Sequence, residues 1–76
     1  MLTVIRFRLR EVREQRELTQ LELAERVGVR QATISDLETG RAKTLRLTLL
    51  DALCNALQAE PAELIEYDPP KRRKSA

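Results

Sequence analysis

Few side chains in this 76-residue sequence could do bond-making chemistry. There is no histidine and one cysteine, Cys54. The carboxylates fall among arginines at spacings of three and four, as in Arg10–Glu14 and Arg13–Glu17. That is ion-pair spacing on a helix surface, not convergence on a cleft. No nucleophile has a base near it, and no glycine-rich phosphate loop occurs. A lone thiol without histidine makes neither an internal disulfide nor a nitrogen/thiolate zinc site. Cys54 reads as a small buried hydrophobe. The sequence therefore argues against an enzyme, a cofactor and a metal site. What remains is recognition by hydrogen bond and charge. Net charge is +2, but unevenly spread. Residues 26–46 carry five bases (Arg26, Arg30, Arg41, Lys43, Arg46) against Asp36 and Glu38. Residues 47–68 carry five acids and no base, and the last eight residues add four bases. A basic middle beside an acidic section suggests one face for a polyanion and another turned away from it, the alternative being an ordinary solvated surface.

The elements that must position those residues are legible between Thr19 and Gly40, TQLELAERVGVRQATISDLETG. Thr19 is an N-cap, and Glu22 three residues on completes a reciprocal capping box. Leu18 and Leu23 have the spacing of a hydrophobic staple. Leu23, Ala24 and Val27 share one face, and Gly28 ends the helix, since a left-handed C-cap is cheap for glycine. A second helix over Gln31–Glu38 turns Ile34 and Leu37 inward and ends at Gly40. Ala32, Ser35 and Asp36 then lie opposite Ile34 and Leu37, with Gln31 at the edge. Two short helices about a glycine turn of about four residues form a helix-turn-helix.

The rest of the chain supplies support. Composition is helical, with few aromatics and two glycines. A first helix spans Arg8–Arg16, with Leu9 and Val12 inward and Arg13 beside them. Before it, Val4, Ile5 and Phe7 favour a short strand, for which Leu45–Leu47 is the candidate partner; a ragged helix start is the alternative. Thr48 caps a fourth helix over Leu49–Leu57, with Leu50, Leu53, Cys54 and Leu57 as its apolar stripe. Pro61 opens a fifth over Pro61–Glu66. The expected fold class is all-α: a compact five-helix bundle with a short N-terminal strand, one domain over residues 1–68, and a basic, disordered tail over 69–76. With no membrane-spanning run and no signal peptide, the expected compartment is the cytoplasm.

Gln20, the Gly28 turn, Ile34 with Leu37, and Glu38-Thr39-Gly40 together resemble the phage repressor and Cro-like (Xre-type) helix-turn-helix family. The resemblance covers roughly residues 8–67. LTQLELAERVGV followed by TIS-x-LE-x-G is far more specific than a bare helix-turn-helix pattern. The ending, LRLTLLDALCNALQAEPAELIEY, is similar to the short stand-alone bacterial members. The resemblance implies that the second motif helix lies in the DNA major groove. It implies that Gln20 holds a phosphate, that Gln31, Ala32, Ser35 and Asp36 face the groove, and that Arg41 and Lys43 contact phosphate. It also implies an ion pair between Arg13 and Glu38. Three positions depart from the pattern. Arg30 replaces the usual Ser or Thr cap, as either a surface arginine or a phosphate contact. Ala32 can only touch a thymine methyl or leave room for one. Asp36 either accepts from cytosine N4 or lowers non-specific affinity.

The expected function is sequence-specific binding of double-stranded DNA, and hence transcriptional regulation, as a repressor acting on an operator. Gln31 is the expected base reader, because a glutamine amide matches adenine N6 and N7. One domain offers few base contacts, so a homodimer on two half-sites is expected. The alternative is a protein-interaction module, such as an antitoxin or adaptor of the same fold, with a protein partner docking on the acidic section and Leu21.

Overall fold

The computed structural model describes residues 4–68. Its elements in chain order are β1 (Val4–Phe7), α1 (Leu9–Gln15), α2 (Gln20–Val27), α3 (Gln31–Thr39), α4 (Leu47–Leu57), α5 (Pro61–Leu64) and β2 (Ile65–Asp68). The expected tail at 69–76 lies outside the described residues.

Each helix is tied to the others by fully buried aliphatic side chains. Leu9 of α1, Leu23 of α2, Ile34 of α3, Leu53 and Leu57 of α4, and Leu64 of α5 meet in one core, joined by Val12, Ala24, Leu37 and Ala59. Burying such a side chain is worth about 1.5–3 kcal/mol, which short helices need because they are marginal in isolation. The C-terminal ends of α1 and α4 are joined by polar contacts. Arg16 Nε donates to the Leu57 carbonyl at 2.8 Å, and its Nη2 reaches the Gln58 carbonyl at 3.4 Å.

The strand pairing corrects two expectations. The fold is helical with a two-stranded antiparallel sheet, not all-α. β1 pairs with β2, with Val4 opposite Asp68 and Phe7 opposite Ile65, and not with Leu45–Leu47. Leu47 is instead the first residue of α4, which starts without a side-chain cap from Arg46 or Thr48. α5 stops at Leu64 rather than Glu66, because Ile65 takes extended backbone (φ −118°, ψ 124°) and continues as β2. The Arg8 amide donates to the Leu64 carbonyl at 2.6 Å and closes the base of the ribbon.

Candidate nucleic-acid interface

α2 is defined at both ends by local chemistry. The Glu22 amide donates to Thr19 Oγ1 at 3.0 Å, and the Thr19 amide donates to Glu22 Oε1 at 2.8 Å. Hydrogen bonding to Thr19, its backbone amide first and then its side chain, holds the Glu22 carboxyl below its ordinary range. At the other end Gly28 sits at φ 79°, and the amides of Gly28 and Val29 both close on the Ala24 carbonyl.

α3 packs Ile34 (0% exposed) and Leu37 (7%) inward and leaves Gln31 and Ala32 exposed, with Ser35 and Asp36 half-buried along the flank. Its start has no side-chain cap, because Arg30 has no acceptor to offer. Arg30 is exposed at that end. Gly40 (φ 83°) terminates the helix, and the amides of Gly40, Arg41 and Ala42 all converge on the Asp36 carbonyl. That convergence fixes the path of the loop that holds Arg41 and Lys43 in solvent, on the segment following α3.

A polar chain runs from the core to the start of α3. Arg13 Nε donates to Glu38 Oε2 at 2.6 Å and its Nη2 to Glu38 Oε1 at 3.1 Å, a two-bonded fork. Arg13 Nη1 donates to the Leu18 carbonyl at 2.8 Å, pinning the turn before α2. Gln20 Nε2 donates to Glu38 Oε1 at 2.8 Å, and Gln31 Nε2 donates to Gln20 Oε1 at 3.4 Å. The Glu38 side chain has no exposed surface and that of Arg13 only 10%. Burial alone would push the Glu38 carboxyl up. Hydrogen bonds from Arg13 and Gln20, with the charges of Arg13 and Arg10, outweigh it and hold the carboxyl below the usual glutamate range. Its hydrogen bond to Glu38 raises Arg13 further, against the opposing effect of burial. No buried side-chain nitrogen or oxygen among the described residues is left without a partner.

The structure thus brings Arg13, Gln20, Gln31 and Glu38 together, and leaves Arg30, Ala32, Arg41 and Lys43 as separate exposed positions around them. Gln20 is bound at both ends of its amide, which leaves one N–H of its Nε2 for an outside acceptor. Arg10 was missed by sequence reasoning, which set it in a solvated pair with Glu14. Its Nε lies 3.5 Å from Glu38 Oε1, with 58% of its side chain exposed. The signal was its position three residues before Arg13, one turn along the same face.

Residues 8–70 match the family of Cro/C1-type helix-turn-helix DNA-binding domains. The chain belongs to that family. It is a family of DNA-binding domains, not of enzymes. The protein is similar to an uncharacterized HTH-type transcriptional regulator, YozG of Bacillus subtilis (strain 168), with 44% identity over 52 residues, 68% of this chain. It spans 62% of that relative's length. Its fold is similar to the crystal structure of the transcriptional regulator VanUg, at a TM-score of 0.71 and 28% identity over 92% of each chain. It is also similar to the clp gene regulator ClgR from Corynebacterium glutamicum, at a TM-score of 0.67 and 40% identity over 72% of this chain and 57% of that one. No helix among the described residues is long and apolar enough to cross a membrane.

Proposed function

We propose that this protein is a transcription regulator of the cytoplasm that reads double-stranded DNA by placing α3 in the major groove. It acts as a repressor, by occupying an operator as a homodimer. The observation that carries this reading is the state of Gln31: exposed at the start of α3, yet oriented by Gln20, itself held by a buried carboxylate. A base-reading amide needs both properties, reach into solvent and a fixed direction. Ala32 and Ser35 extend the same surface, Ala32 toward a thymine methyl. Asp36 works as an acid that weakens attachment to random DNA. Gln20, Arg30, Arg41 and Lys43 surround the helix with donors and cations for phosphate, which set position and most of the affinity.

The test is selection of bound sequences from a random duplex pool, followed by Gln31→Ala. The variant is expected to lose about 1–3 kcal/mol on the selected site, while binding to random duplex is unchanged. Equal losses on both would remove Gln31 as a reader. A salt titration separates the rival reading, a protein-interaction module. A DNA binder loses affinity steeply with salt as counterions are released. A module without a DNA surface shows no retention at low salt.

A further inference from the structure

Arg10, Arg13 and Gln20 crowd around a single oxygen. Glu38 Oε1 accepts from Arg13 Nη2 at 3.1 Å and from Gln20 Nε2 at 2.8 Å, and Arg10 Nε lies 3.5 Å from the same atom. The first two contacts are hydrogen bonds, while Arg10 contributes charge alone. The carboxylate does not need it, because the Arg13 fork and Gln20 already satisfy both oxygens. An ion pair whose cation is 58% exposed adds little to folding. Charge is also out of balance here. Arg13 and Glu38 cancel as a buried pair, so the charge of Arg10 is left over and stands on the solvent side. Glu14 approaches Arg13 at 4.0 Å but is 64% exposed, and water screens it. Arg10 turns its Nε toward Glu38, which leaves the Nη edge of its guanidinium open to an outside acceptor. Gln20 keeps one N–H of its Nε2 for the same use. Donors from α1 and α2 thus stand side by side with a surplus positive charge.

We propose that Arg10 and Gln20 grip one and the same backbone phosphate of a duplex, Arg10 through its Nη edge and Gln20 through its remaining N–H. The inference rests on the DNA-binding reading and adds to it a contact from α1, a helix to which that reading assigns none. A phosphodiester suits the pair. Its two outer oxygens share one negative charge, which matches both the number of donor groups and the surplus. A guanidinium edge fits such oxygens in a planar fork, a geometry an ammonium lacks. The buried carboxylate holds both donors from behind, so part of their ordering is complete before the duplex arrives. The other end of the Gln20 amide accepts from Gln31 at 3.4 Å. The phosphate so held flanks the base that Gln31 meets, and Gln20 couples the grip on the backbone to the direction of Gln31.

A phosphate-by-phosphate map tests this. One backbone phosphate at a time in a selected duplex site is replaced by an uncharged methylphosphonate. Each duplex is titrated with the wild-type chain, Arg10→Gln, Gln20→Ala and Arg8→Gln. Wild-type affinity is expected to fall about tenfold where the doubly held phosphate is lost. At that one position the fall is expected to shrink to about threefold in both Arg10→Gln and Gln20→Ala, because each variant has already lost part of the contact. Arg10→Gln is also expected to flatten the salt dependence by about 0.9 in slope, the share of one phosphate. Arg8→Gln removes an equal charge from the start of the same helix, where Arg8 pairs with Glu11 at 2.9 Å, and is expected to leave the map unchanged. Arg13 and Gln20 still satisfy Glu38 in Arg10→Gln, so its melting curve is expected to match the wild type. Should it melt lower, Arg10→Lys takes its place. That variant keeps the charge beside Glu38, lacks the planar fork and is expected to show part of the same shrinkage. An Arg10 variant that matches the wild type at every position, or Arg10 and Gln20 acting at different phosphates, overturns the proposal and leaves the DNA reading in place. Wild-type protein that retains no duplex at low salt defeats the DNA reading, and the proposal with it.

Discussion

The two helices of the motif end alike and begin differently. α2 and α3 each stop at a glycine with φ near +80°. α2 starts at a complete capping box, whereas α3 starts at Arg30 with no side-chain hydrogen bond at its N-terminus. The first helix is specified by residues within it. The second is held from outside, by Ile34 and Leu37 in the core and by Glu38 gripped from α1 and α2. An uncapped start beside Gln31 leaves free amide donors which, on the proposed reading, would be available to the phosphate backbone. Side-chain capping is thus complete at the start of α2 and missing at the start of α3, the helix proposed to enter the groove.

The largest test of this difference removes the outside hold. Glu38→Ala strands the Arg13 guanidinium and is expected to cost about 3 kcal/mol in the denaturant midpoint, because a charge left unpaired in a buried site is expensive. The same contact sets an acid limit. The folded-state value of Glu38 lies below its unfolded value, so its contribution is fully present above the ordinary glutamate range. It is lost as pH falls through the lowered value. Thermal melts at descending pH should show a fall in that window that is absent in Glu38→Gln.

The shared feature comes next. Gly28→Ala and Gly40→Ala should each cost about 1–2 kcal/mol, the penalty of a left-handed residue with a Cβ. A Cβ at either position meets nothing within 4 Å, so the loss reflects backbone strain alone and the two values should agree. Unequal losses would show that the two helix ends differ after all. Thr19→Ala removes the cap of α2 and is expected to cost about 1 kcal/mol by chemical denaturation. The smallest effect is the most telling. Arg30→Ser gives α3 the cap it lacks and should raise stability by several tenths of a kcal/mol up to about 1. Its affinity for random duplex should drop and its salt dependence flatten, since one cation near phosphate is gone. A variant that gains stability and keeps its duplex affinity would make Arg30 a mere surface residue.

What could be read from the sequence follows the same division. The capping box at Thr19 and Glu22, both glycine stops, and the inward Leu9, Leu23, Ile34, Leu53 and Leu57 rest on neighbours in the chain, and all stand in the structure. The partner of β1 did not follow, because pairing between residues 4–7 and 65–68 is a long-range choice that no local pattern encodes. The alternation of Ile65, Glu66, Tyr67 and Asp68 carried a strand signal, which the proline-led start of α5 masked. At the site, helical geometry placed Gln31 and Ala32 outward. It set Ser35 and Asp36 on the same open side, whereas both are half-buried. The Gln20–Glu38 hydrogen bond joins residues 18 apart across a turn and needed the packed structure to appear.

Antiparallel pairing of Val4 with Asp68 brings the first and last described residues together. A tether attached at those two positions would load the ribbon as a zipper, opening one residue pair at a time before any helix felt the force. For the same reason a host polypeptide could carry this whole bundle as an insertion in one of its surface loops, entering and leaving through a single narrow stalk.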